Sequence, residues 1–261
     1  MKLPLHWVDA FTDRVFTGNP AAVVLLESWL PDALLQRIAF ENGLSETAYV
    51  VPRGPSRFAL RWFTPRVEVD LCGHATLAAA HVLFGTAASA ETAVSFETAS
   101  GVLRVERRAG LLELDFPTRV ARPSAASPEL AAVLPSEVVH VGLSTSAWLC
   151  VLSRAEQVAA YRPDPLRLAL LRPGRLILTA PGVDCDYASR YFAPDAGVLE
   201  DPATGSSQCT LAPYWALRLG RTELHARQLS ERGGEFWCRL EGDRVRIAGR
   251  CALYLSGQID V

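Results

Sequence analysis

The stretch Leu71-Cys72-Gly73-His74-Ala75-Thr76 has a second version later in the chain, and this repeat constrains the fold more than any other feature. The first version follows Phe63-Thr64-Pro65; the second, Glu200-Asp201-Pro202-Ala203-Thr204-Gly205-Ser206, follows Phe192-Ala193-Pro194. Phe63 and Phe192, Pro65 and Pro194, and Cys72 and Asp201 are each 129 residues apart, so the register runs without a gap as far as the polar position. A small-residue helix follows each copy and ends near Gly85 or Gly220. Each copy reads as a strand, a polar turn and a helix whose first N–H groups lack a helical partner. Two such helix starts facing one another would make an anion-binding cleft.

A chain of 261 residues accommodates two domains of about 130 residues each. The repeat favours that division: one half over 1–120, the other over 121–261, with the Arg-, Pro-, Ser- and Ala-rich stretch at 119–128 as the linker. With 49% hydrophobic and 21% charged residues, the chain can fill a core. Its net charge is −2, and its densest basic cluster, Arg104 with Arg107 and Arg108, is followed at once by Glu113 and Asp115. That pattern argues against nucleic acid or an acidic membrane as partner. The segment Met1 to His6 lacks the apolar run of a signal peptide, and no stretch approaches the roughly 18 apolar residues of a membrane span. A cytoplasmic location is expected. The six cysteines form no Cys-x-x-Cys pair, so neither a disulfide framework nor a zinc site is expected. Cys150, Cys238 and Cys251 read as small buried hydrophobes.

Strands are expected at 6–11 and 21–26, then a helix opened by Pro31-Asp32 and stopped by Asn42-Gly43, then a strand from Glu46 to Val51. Arg57 to Phe63 alternates as a half-buried strand, with Phe58, Leu60 and Trp62 on one side. The helix from about His74 to Phe84 is apolar nearly all round, so a sheet must wrap it. Strands at 93–97, 101–106 and 111–116 are candidates for that sheet. The second half repeats the course, with strands at 138–142, 147–152, 175–180, 185–192, 224–229, 235–240 and 244–247 and a helical stretch at 164–171. The last strand, 251–259, has no counterpart in the register and is free to cross back to the first half.

Several residues carry chemistry. Glu46 shares one strand face with Ala48 and Val50, while Thr47, Tyr49 and Val51 share the other. On a buried Ala48 face the carboxylate would be desolvated and suited to moving protons; with the Tyr49 face buried it would be a surface charge. Periodicity leaves both open. His74 begins a helix directly after Gly73, where the helix dipole favours a neutral imidazole. Cys72, at the same helix start, would have its thiol activated there, or would simply pack beneath the turn. Asp201 fits either a partner for that thiol or an ordinary helix cap. Gly73 and Gly205 would let the backbone approach a carboxylate. Ser206 with His74 and Asp201 invites a hydrolase reading, but no Gly-x-Ser-x-Gly surrounds the serine. Phosphate-loop, dinucleotide and His-x-x-x-His patterns are missing from the sequence, so no metal or cofactor is expected.

The motifs Val8-Asp9-Ala10-Phe11, Phe16-Thr17-Gly18-Asn19-Pro20-Ala21, Leu44-Ser45-Glu46-Thr47, Phe63-Thr64-Pro65 with Glu68 to Thr76, and Glu200 to Ser206 together resemble the PhzF family of phenazine-biosynthesis-like isomerases. The resemblance runs from about residue 6 to the end. It implies an α+β, diaminopimelate epimerase-like fold: two pseudo-symmetric halves, each a barrel-like mixed sheet around a central helix. In the family's phenazine enzyme a dihydro-hydroxyanthranilate is isomerised without cofactor. The resemblance implies that Glu46 is the inward-facing acid/base, with His74 and Asp201 catalytic and Gly73, Gly205, Ser206 and Asn19 holding substrate. It also implies a homodimer. In diaminopimelate epimerase two cysteines hold the paired positions, where this chain has Cys72 and Asp201. The expected function is therefore a cofactor-independent isomerase moving a proton between carbons of a small carboxylate. The alternatives are an epimerase or racemase using Cys72 with a carboxylate, and a catalytically idle metabolite-binding protein.

Overall fold

The computed structural model describes residues 1–261 except Ser89 and Ser136, and except the side chain of Ala196. The chain runs β1 (Lys2–Ala10), β2 (Asn19–Leu25), α1 (Asp32–Asn42), β3 (Glu46–Gly54), β4 (Arg57–Phe63), β5 (Glu68–Val69), α2 (Gly73–Gly85), β6 (Ala93–Thr98), β7 (Gly101–Arg108) and β8 (Leu111–Pro117). It continues through β9 (Arg122–Pro123), α3 (Pro128–Ala131), β10 (Val138–Leu143), β11 (Trp148–Leu152), α4 (Ala155–Ala160), α5 (Pro165–Leu168), β12 (Leu176–Pro181) and β13 (Tyr187–Ala193). Then come β14 (Val198–Asp201), α6 (Gly205–Leu219), β15 (Glu223–Gln228), β16 (Gly234–Glu241), β17 (Arg244–Gly249) and β18 (Cys251–Asp260).

Two compact units result, Met1–Asp115 with Ala248–Val261, and Phe116–Ile247. The first boundary therefore falls inside β8, ahead of the stretch read as a linker. That stretch belongs to the second unit, because Arg122 and Pro123 form a short strand against β10 and so have ladder partners that a free linker lacks. The segment 251–260 forms β18, antiparallel to β1 in the first unit.

Each unit is a mixed sheet with the same pairing plan. In the first, β2 and β3 are parallel, β3 and β4 antiparallel, β4 and β6 parallel, and β6 and β7 antiparallel. In the second, β11 and β12, β12 and β13, β13 and β15, and β15 and β16 repeat that series. The sheet of the first unit packs on α2 through β1, β2, β3, β7 and β18. Ten residues of α2 are buried, His74 to Ala80 and Val82 to Phe84, as an all-round apolar helix requires.

The other face of the first sheet is also covered. Leu35, Ile38 and Ala39 of α1 pack with Ala22, Val24, Tyr49, Val51, Ala59 and Phe63. Phe58, Leu60 and Trp62 do share a side of β4, but Ala59 and Phe63 on the opposite side are buried too. The half-buried reading of that strand is thus corrected: a second layer of apolar contacts lies where solvent was expected. In the second unit, α4, α5 and the residues that follow each of them cover the outer face through Val158, Tyr161, Leu168 and Leu171 against Trp148, Leu152, Leu176 and Phe192. α4 was not expected from the sequence, and the helix expected at 164–171 is the single turn Pro165–Leu168 capped by Asp164. No helix among the described residues is long and apolar enough to cross a membrane.

Gly18 and Gly43 both take left-handed backbone, at φ +68° and +63°. A Cβ at Gly18 would overlap the Ala10 carbonyl oxygen and the Thr12 side chain, whereas one at Gly43 meets nothing. Gly43→Ala should therefore cost about 1 kcal/mol in urea unfolding, and Gly18→Ala at least about 3 kcal/mol, because overpacking adds to the backbone strain.

Candidate active site

In the first unit three elements begin at one place. Asn19 opens β2, Glu46 opens β3, and Cys72 is the N-cap of α2, with His74 in its first turn. The parallel pairing sets Glu46 opposite Ala21, two residues beyond Asn19. Both faces of β3 are buried, so burial alone does not aim Glu46. Contact with α2 does: Glu46 Oε2 lies 3.1 Å from His74 Nε2. The carboxylate thus lies on the Ala48 face. Its Oε2 is buried, while the side chain as a whole keeps 19% exposure.

The other ring nitrogen of His74, Nδ1, lies 3.3 Å from Asn19 Nδ2 and 3.4 Å from Cys72 Sγ. Asn19 is fully buried and faces the imidazole, a position that orients His74. Burial by itself disfavours the imidazolium, but the Cys72 sulfur, as a hydrogen-bond acceptor, and the charge of the Glu46 carboxylate, both in contact with the ring, outweigh it and raise the His74 pKa well above its ordinary value. The neutral imidazole expected from the helix dipole is corrected accordingly. Burial also pushes the Cys72 thiol up, to about 11, with the Glu46 carboxylate adding to the effect. Cys72 is therefore a packed thiol at neutral pH rather than an activated one.

Glu46, Cys72 and His74 also place one metal-ligating atom each within 4.8 Å of one another.

In the second unit the polar position and the helix start part company. α6 begins at Gly205 with Thr204 as N-cap, so the helix starts are 132 residues apart and the gapless register of 129 ends before them. By helix position Cys72 corresponds to Thr204, Gly73 to Gly205 and His74 to Ser206. Asp201 lies at the end of β14, three residues before the cap, and is neither the helix cap nor the structural twin of Cys72. Its Oδ2 accepts a short hydrogen bond from the Thr204 hydroxyl. That bond draws Thr204 away from capping: no side-chain cap closes α6, whereas Ser127 and Asp164 cap α3 and α5. Gly205 and Ser207 are buried and Ser206 is half-buried in the first turn.

Glu200, just before Asp201, is gripped by buried Arg190 in a bidentate pair at 2.6 and 2.7 Å. The same guanidinium donates to the carbonyls of Val158, Ala159 and Tyr161 at the end of α4. Thr204 lies within the Glu200 to Ser206 motif, whereas Arg190 has no local signal, since its partner is 10 residues away across a strand pair. A surface groove of about 470 Å³, lined in part by Leu134, Pro135, Val138 and His140, contains none of the motif residues.

Two outcomes follow from the charges. In native protein at pH 8, iodoacetamide should leave Cys72 unmodified by mass spectrometry and alkylate it after unfolding. A histidine with a raised folded pKa adds stability that is fully present below about 6.5 and is lost as pH rises through the folded value. The stability gap between wild type and His74→Gln in urea should thus be wider at pH 6 than at pH 9.

Comparison with known proteins agrees with this architecture. A family model for phenazine biosynthesis-like proteins, PhzC-PhzF, matches residues 8–257. An uncharacterized isomerase of Pseudomonas aeruginosa is 51% identical over 259 residues, covering 99% of each chain. The crystal structure of a PhzF-family phenazine biosynthesis protein of Enterococcus faecalis superposes with a TM-score of 0.96 at 44% identity, covering 100% of each chain. A hydroxyproline epimerase from Agrobacterium vitis superposes with a TM-score of 0.63 over 99% of this chain and 92% of that one; at 14% identity this shows a shared fold alone. The chain belongs to the PhzF family of phenazine biosynthesis-like proteins, and it is an isomerase with the diaminopimelate epimerase-like fold.

Proposed function

We propose that this isomerase moves a proton between carbons of a small carboxylate without a cofactor, with Glu46 as the acid and base. The observation that supports this reading is the Glu46 carboxylate held 3.1 Å from His74 while part of its side chain remains exposed. In this reading Glu46 takes a proton from a carbon made acidic by conjugation to the carboxylate and returns it to another carbon of the same system. His74, held as the imidazolium by its neighbours, stabilises the negative charge that develops between the two steps. Asn19 stands against Nδ1 of the ring, where its amide, turned so that the oxygen faces the ring, accepts from the imidazolium, and Asp201 orders its own loop through Thr204.

The N–H group of Gly73 at the start of α2, and those of Gly205 and Ser206 at the start of α6, are each proposed as donors to anionic oxygens of a substrate. Helix starts without a side-chain cap suit that task, because their donors are not already spent. Removing one such donor typically costs about 3 kcal/mol of transition-state stabilisation. The position that opens β12, as Glu46 opens β3, is Leu176, so one proton-moving carboxylate serves the repeat. A cytoplasmic homodimer is the setting proposed for the enzyme.

The epimerase alternative asks Cys72 to act as a base, which a thiol raised to about 11 serves poorly at neutral pH. The test is proton NMR in heavy water with a panel of small carboxylates that includes the dihydro-hydroxyanthranilate. A shifted double bond with deuterium entering at carbon is expected. Glu46→Gln should stay folded by circular dichroism and lose turnover by roughly 10²- to 10⁴-fold. Retained turnover would sink the role of Glu46. Cys72→Ala should retain turnover within about threefold, since the thiol transfers no proton to or from substrate in this scheme; its inactivation would move the assignment to the epimerase, and deuterium at a stereocentre without a shifted bond would do the same.

A further inference from the structure

The second motif is held from behind by a residue that belongs to no motif. Gln228, the last residue of β15, is 1% exposed, and all its polar capacity is directed at the Asp201–Thr204 loop. Its Oε1 accepts from the Thr204 N–H at 2.9 Å. Its Nε2 donates to the Asp201 carbonyl and, at 3.2 Å, to the Thr204 hydroxyl. The Thr204 hydroxyl in turn donates to the Asp201 carboxylate. A backbone N–H can only donate, so the amide orientation of Gln228 is dictated by its partner.

The rest of the hairpin supports the same loop. Ser230 Oγ donates to the Pro202 carbonyl at 2.6 Å. Gly234 opens β16 where a Cβ would sit 2.5 Å from the Ala203 Cβ, so the loop backbone lies directly on the hairpin.

The first unit provides an internal control. There Ser100 Oγ donates to the Asp70 carbonyl at 2.8 Å, three residues before the helix start, as Ser230 does to Pro202 three residues before Gly205. The residue closing the equivalent strand β6, however, is Thr98, which is spent on its own turn by bonding Gly101 O at 2.7 Å. The serine contact is common to both repeats. The glutamine clamp belongs to the second alone, where it occupies the N-cap residue and leaves the first-turn N–H groups without a side-chain cap.

We propose that Gln228 is a positioning residue for isomerisation: by fixing Thr204 and Asp201 it holds the start of α6 in the geometry that binds the substrate's anion. The proposal rests on the reading of Gly205 and Ser206 as substrate donors. Gln228 touches no reacting atom. Its effect is transmitted through the Thr204 N–H and the chain of hydroxyl bonds to Asp201.

The experiment compares wild type with Gln228→Leu, which removes every clamp contact, and Gln228→Glu, which keeps an acceptor for the Thr204 N–H and loses the donor to the Asp201 carbonyl. Gln228→Glu stands in if Gln228→Leu does not fold. Two readouts are taken. Hydrogen exchange at the Thr204, Gly205 and Ser207 amides should quicken by roughly tenfold in the variants, with the amides of β12 unchanged. On the substrate that the heavy-water panel identifies, KM should rise about tenfold with kcat nearly unchanged, the signature of lost ground-state and transition-state binding alike. Exchange that is unaltered, or that quickens equally through the whole unit, would overturn the clamp. Local quickening with an unchanged KM would overturn the link to substrate. A panel with no turnover defeats the proposed reaction instead, and the exchange readout still judges the clamp.

Discussion

The structure depends on the burial of α2. A helix apolar on every side gains from removal of its whole circumference from water, at roughly 25 cal/mol per Å² of apolar surface, and a single flat sheet covers only one side. The strands of the first unit therefore surround it, and His74 and Thr76 lie in its first turn, with His81 half-buried further along. β2 and β3 run parallel, so both begin at the same end, and Asn19 and Glu46 are the residues that begin them. The meeting of Asn19, Glu46, Cys72 and His74 is thus a consequence of how the helix is enclosed.

Local charge then decides the chemistry of those residues. A helix start disfavours a cation by about 0.3–1 kcal/mol. Two unit charges 4 Å apart interact by about 4 kcal/mol at an effective dielectric constant near 20. A carboxylate 3.1 Å from the imidazole therefore overrides the dipole, and His74 is held toward its charged form. The same carboxylate acts on Cys72 in the opposite sense, since a second negative charge beside it is disfavoured and burial already opposes ionisation. One acid thus charges the histidine and silences the thiol.

Duplication supplied two copies of a sheet on a helix, and the copies have diverged in what they do with the helix start. The first places an acid and an imidazole there. The second inserts three residues between its Phe-x-Pro and the helix, enough for Asp201 to turn back onto the Thr204 hydroxyl, and secures the turn with Gln228 and the Arg190–Glu200 pair. The Arg190 end of that pair is buried and the Glu200 end is half-buried, so the bidentate contact ties the strand leading to Asp201 to the end of α4.

Local pattern by itself determined the repeat, the two enclosed helices, most strand positions, the Gly43 and Gly220 helix stops and the motif residues Glu46, His74, Asp201, Gly205 and Ser206. These are legible because hydrophobic period, turn residues and short motifs are properties of neighbours in the chain. The aim of Glu46 was not legible from periodicity, because both faces of β3 are buried and alternation distinguishes only a wet face from a dry one. The charge of His74, the inert thiol of Cys72, the displacement of Asp201 from the helix start and the grip of Gln228 were decided by tertiary structure. Each depends on a partner brought close by packing: Glu46 is 28 residues from His74, and Gln228 is 24 residues from Thr204. Electrostatics and hydrogen bonding act over a few ångströms of space, and the chain's order does not encode which residues will share them.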